Sequence, residues 1–107
     1  PRDNFSQYAL GILAALFCLT SHATDYSLTL EELAVNCASC HGYEGISKSP
    51  EYPNLAGQKA YYLAKSLTAY RDGERRHALM TPMAQGLSDE SIAELAKYFS
   101  QLNPYCD

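Results

Sequence analysis

Cys37-Ala38-Ser39-Cys40-His41 sets two thiols three positions apart, with an imidazole directly after the second. Three chemistries use a cysteine pair of this kind. A thiol–disulfide exchange site sits beside a βαβ unit, and the chain has no convincing strand pattern. A zinc site needs further ligands at regular spacing, and the other two cysteines, Cys18 and Cys106, are poorly placed to supply them. The third chemistry is covalent attachment of a c-type haem. There the two thiols form thioethers with the two vinyl groups of one haem edge, and the adjacent histidine gives the iron a nitrogen ligand. The motif C-x-x-C-H has the spacing of this third case.

The sequence around the motif reads as all-α. Residues 29–40 open with Thr29 and Glu32 in a T-x-x-E capping box, and Leu30, Leu33, Ala34 and Cys37 then recur at the helical period. Residues 58–71 form a second helix, with Leu63, Ala64, Leu67 and Tyr70 on one face and Gly73 as the stop. Ser88 caps a third helix whose apolar stripe is Ile92, Leu95, Ala96, Phe99 and Leu102, ended by Pro104. Between the helices lie two long loops, residues 42–57 and 74–87, punctuated by proline and glycine. A chain of 107 residues holds at most one small domain. Three short helices with loops this long bury little apolar surface, so a staple or a buried group is expected to organise them.

The N-terminus differs from the rest. Residues 8–19 are uncharged and largely apolar, and Ser21-His22-Ala23 follows as a small-x-small site. A run this short fits the core of a secretory signal, whereas a membrane-spanning helix needs about 20 apolar residues. Residues 1–23 therefore read as a leader and 24–107 as the haem domain, placing the protein in the periplasm or outside the cell. The alternative is a retained N-terminal anchor helix, and membrane contact is expected only in that case. Charged residues make up 19% of the chain and the net charge is -4. No concentrated basic face is available, and no nucleic-acid partner is expected.

Beyond C-x-x-C-H, five segments carry a resemblance: CASCHG at 37–42, YPNLAGQ at 52–58, YYLAKSLTAYRDGER at 61–75, MTPMAQGLSDESI at 80–92 and AKYFSQL at 96–102. Together they resemble class I cytochromes c. The likeness is to one domain of the c-four-type dihaem cytochromes, and equally to the cytochrome subunit of flavocytochrome c sulfide dehydrogenase. It runs from about residue 28 to residue 102. It implies the class I fold, three main helices and long loops wrapped around one covalent haem.

The resemblance also implies a ligand set. Class I domains take a sixth ligand from a methionine in the loop before the last helix. Met80 and Met83 are the only methionines in the chain. In the resembling families the ligand stands seven residues before the leucine of L-S-D, here Leu87, which points to Met80. His77 is the remaining candidate in that loop. The resemblance further implies that Pro53 offers its carbonyl to the ring N–H of His41, while Leu55, Leu63, Leu67 and Leu95 wall the ring. Tyr61, Tyr62, Tyr70, Arg75 and Arg76 are candidates for the haem propionates.

The expected function is one-electron transfer without catalysis, as a free carrier or as the electron-accepting subunit of a respiratory or sulfide-oxidising complex. The expected partners are redox proteins, a flavoprotein donor or a terminal oxidase. Two other readings stay open. One is a structural monohaem unit of a membrane array or filament, held by a retained apolar helix over residues 5–19 with Cys18 and Cys106 as bridging thiols. The other is a haem that binds a gas or a peroxide.

Overall fold

A computed structural model describes residues 27–105. The segment read as a leader, residues 1–23, which includes Cys18, and also Cys106 lie outside the described residues. Within them there are four helices and no strand: α1 (Leu30–His41), α2 (Ala60–Asp72), α3 (Met80–Ala84) and α4 (Asp89–Ser100). No described helix is long and apolar enough to cross a membrane.

Local signals set the starts of α1 and α4 and the end of α2. At the start of α1 the Thr29 hydroxyl accepts from the Glu32 amide at 3.3 Å, and the Thr29 amide donates to the Glu32 carboxylate at 2.8 Å. This closed capping box satisfies two donors that a helix start leaves bare. Glu31 and Glu32 also place negative charge in the first turn, where the helix dipole favours it. At α4 the Ser88 hydroxyl caps the start, accepting from the Ser91 amide at 3.1 Å. Helix α2 ends on Gly73, which takes the left-handed conformation at φ 84°, ψ 6°.

Helix α3 is absent from the sequence-based expectation, which has only loop between residues 74 and 87. It is five residues long and contains Pro82. A proline within the first turn costs no hydrogen bond, because the amide there has no helical partner. Five residues show no period, so local pattern carries no trace of this element.

The packing is set by α4, which lies against both α1 and α2, while α3 packs on α2. Ala34, Leu63, Leu95, Ala96 and Phe99 form the buried cluster, flanked by half-buried Leu30, Leu33, Cys37, Leu55, Leu67 and Leu102. Leu95 is 1% exposed and Ile92 3%. The stripe of α4 is thus the centre of the domain. Ala34 and Ala96 contribute only methyl groups to the cluster, which suits a close approach of α1 to α4.

Two tethers fasten the loops to this frame. The Gly57 amide donates to the Phe99 carbonyl at 3.1 Å, holding the end of the 42–57 loop on α4. Arg71, near the end of α2, donates from Nη1 to the Leu87 carbonyl at 3.2 Å and to Asp89 at 2.7 Å. It also pairs with Asp72 through Nε at 2.8 Å. One guanidinium so joins the C-terminal end of α2 to the first turn of α4.

Candidate haem-binding site

Cys37, Cys40 and His41 all stand on the last turn and a half of α1. Neither Cys37 nor Cys40 is in a disulfide. Burial pushes the Cys37 thiol above its ordinary pKa, against a smaller lowering by a backbone hydrogen bond, so the uncharged thiol dominates at neutral pH. His41 is buried at 6% exposure.

The histidine ring is fixed from outside its helix. Its Nδ1 lies 2.7 Å from the Pro53 carbonyl oxygen. A carbonyl only accepts, so Nδ1 carries the proton and donates, and the lone pair is left on Nε2. That is the tautomer an iron ligand requires. A carbonyl partner also raises the basicity of the ligating nitrogen. The Tyr52 ring meets the same imidazole edge-on, with centroids 6.3 Å apart at 65°.

The loop that carries Pro53 is built to hold this carbonyl still. The Gly45 carbonyl accepts from both the Leu55 and Ala56 amides, at 2.8 and 3.0 Å. The Asn54 side chain accepts from the Ser47 amide at 2.7 Å. The Ser47 hydroxyl is 3.3 Å from the Cys40 carbonyl, which ties the loop back to the attachment turn. The chain enters the loop through Gly42, at φ 87° and ψ 146°. A β-carbon there would collide with the Ile46 backbone carbonyl. The glycine after C-x-x-C-H is therefore required both by its dihedral and by the space beside it.

Farther along the chain, Met80 opens α3 and is half-buried, whereas Met83 is 48% exposed. Leu63 is buried and Leu55 half-buried against the core. The five propionate candidates divide. Tyr70 is buried, with the Arg75 guanidinium 4.6 Å above its ring, while Tyr61 is 79% and Tyr62 50% exposed and Arg76 is also exposed. The contacts of Asn54 and Ser47 are not foreseen from sequence, because polar residues in a loop give no sign of which backbone group they will meet. Among the described residues, no three His, Cys, Asp or Glu gather into a site for a bare metal ion.

The donor set fits a covalent haem c: two unpaired thiols at the right spacing and an imidazole with its free lone pair on Nε2. A family model described as cytochrome c matches residues 31–103. Cytochrome c-554(548) of Halomonas halodenitrificans is 56% identical over 73 residues, covering 65% of this chain and 88% of that protein. The cytochrome subunit of sulfide dehydrogenase of Chlorobaculum tepidum is 34% identical over 73 residues, covering 68% of this chain and 66% of the relative. The crystal structure of reduced recombinant cytochrome c4 from Pseudomonas stutzeri superposes with a TM-score of 0.58 at 35% identity. That match covers 63% of this chain and 38% of the c4 chain, so this chain spans about two fifths of that relative's length.

Proposed function

Since the chain belongs to the cytochrome c family and carries its haem c on Cys37 and Cys40, we propose that it is an exported one-electron carrier with His41 and Met80 as axial ligands. Haem of this type supplies a one-electron couple, and the protein tunes it. The observation that carries the reading is the 2.7 Å contact between His41 Nδ1 and the Pro53 carbonyl, which turns the Nε2 lone pair to ligation. Met80 is supported by its place seven residues before Leu87 and by its half-buried position at the start of α3. Were His41 and Met80 both to hold the haem iron, no position on it would be left for a substrate. The residues then serve to hold a redox centre at fixed geometry, without bond chemistry of their own.

The test is the intact mass and the optical spectrum of one purified sample. The expected mass is a polypeptide beginning at Thr24 plus one haem. The expected spectrum of the ferric protein contains the weak far-red band of methionine sulfur on iron, and Met80→Ala removes it. Rapid binding of carbon monoxide by the reduced protein at neutral pH would overturn the electron-carrier reading. A chain that retains residues 1–23 would overturn cleavage of the leader in favour of a retained anchor helix.

A second reading makes this cytochrome the electron acceptor of a dehydrogenase. It is favoured by the relative named as the cytochrome subunit of sulfide dehydrogenase. Stoichiometric co-purification with a flavoprotein supports it, and a lone monomer at native expression level counts against it.

A further inference from the structure

The segment that presents Met80 is held by the side chain of His77, the other candidate ligand of that region. The residue at the formal start of α3, Leu79, has no side chain able to cap. The bare amides are met from upstream instead. His77 Nδ1 lies 3.2 Å from the Leu79 amide and 3.3 Å from the Met80 amide. Both are donors, so Nδ1 must be the acceptor, one lone pair shared in a three-centre arrangement. The proton of the neutral ring then resides on Nε2. The ring is clamped in its turn. Its backbone amide donates to the Thr81 hydroxyl at 2.8 Å, and its carbonyl accepts from the Thr81 amide at 3.1 Å. The imidazole meets the buried Tyr70 ring at 6.3 Å between centroids and 73° between planes.

We propose that His77 is a positioning residue for the sixth ligand: by holding the Leu79 and Met80 amides it fixes the turn from which the Met80 thioether is presented. The inference rests on Met80 being that ligand. It removes His77 from competition for the iron, because the ring's acceptor nitrogen is already engaged by the backbone. It also gives the segment R-R-H-A-L-M a mechanism, with the imidazole standing where Ser, Asp or Asn would ordinarily cap a helix.

The test uses the ferric holoprotein with three substitutions, His77→Ala, His77→Asn and Met80→Ala, and reads the far-red methionine band and the affinity for added imidazole at the sixth position. His77→Ala is expected to keep the methionine band and to bind imidazole about tenfold more tightly, as expected for one lost backbone anchor. His77→Asn should stay close to the unmutated protein, because its carboxamide oxygen can accept from the same two amides. Unchanged imidazole affinity in His77→Ala, with the band lost in Met80→Ala, overturns the inference and leaves the ligand assignment standing. Equal loosening in both His77 variants also overturns it, since the effect would belong to packing on Tyr70. A band that survives in Met80→Ala overturns the ligand assignment, and the inference with it. If His77→Ala yields no holoprotein, ring nitrogen NMR of the unmutated protein decides: the neutral Nε2–H tautomer supports the role and the Nδ1–H tautomer overturns it.

Discussion

Nδ1 of His41 donates to the carbonyl oxygen of Pro53 across 2.7 Å, joining the last residue of α1 to a loop twelve residues further on. The bond is buried at its histidine end, so its proton should exchange slowly with solvent. In the holoprotein the His41 ring N–H is expected to persist in deuterated buffer on the NMR timescale. Pro53→Gly keeps the carbonyl but loosens its backbone, and should speed that exchange by roughly tenfold, equivalent to about 1.4 kcal/mol of lost restraint. Equal exchange in the two proteins would mean that the loop's other hydrogen bonds hold the carbonyl without help from proline.

Gly42 and Gly73 both have positive φ, at 87° and 84°, yet they should respond differently to alanine. A β-carbon at Gly73 meets nothing within 4 Å, so Gly73→Ala is expected to cost only the left-handed backbone penalty, about 1 kcal/mol. At Gly42 the same atom collides with the Ile46 carbonyl, and the dihedrals lie where only glycine is comfortable. Gly42→Ala should cost roughly 3 kcal/mol or more. Denaturant midpoints of the two holoproteins check the order, and equal midpoints would refute the steric account.

Leu95 is 1% exposed at the centre of the α4 stripe. Leu95→Ala should lower unfolding free energy by about 2–5 kcal/mol, the cost of lost transfer plus a cavity. The optical spectrum of the folded fraction should stay native. A change in the methionine band at low denaturant would show that α4 packing reaches the segment carrying Met80, the proposed ligand.

Arg71 makes the acid dependence readable. Its hydrogen bond holds the Asp72 carboxyl below the usual carboxylate range against a desolvation penalty, with a smaller direct charge attraction in support. A carboxyl lowered in the folded state contributes stability above the unfolded pKa and loses it as pH falls through the folded value. The difference in stability between the unmutated protein and Arg71→Leu should therefore be full at neutral pH and shrink below about pH 4. Because Asp72 is at the surface, the difference should also fall with added salt. Urea melts at neutral and acid pH, each at low and high salt, check both dependences.

Much of this protein was legible in one dimension. The capping residues Thr29 and Ser88 and the stripes of α1, α2 and α4 are local or periodic signals, and the described helices follow them within two residues. Cys37, Cys40 and His41 are adjacent in sequence because one haem edge must be reached from one helical turn, so the attachment chemistry was readable from spacing alone. The tertiary structure decided what spacing cannot carry. Whether His41 presents Nε2 depends on a carbonyl twelve residues away, and the loop around that carbonyl is held by the Leu55 and Ala56 amides on the Gly45 carbonyl and the Ser47 amide on Asn54, bonds that only loop closure makes. Helix α3 and the capping of its start by His77 were invisible because five residues have no period and an imidazole has no fixed capping habit. These features arise from backbone groups finding acceptors after the chain has folded back on itself, which residue order does not reveal.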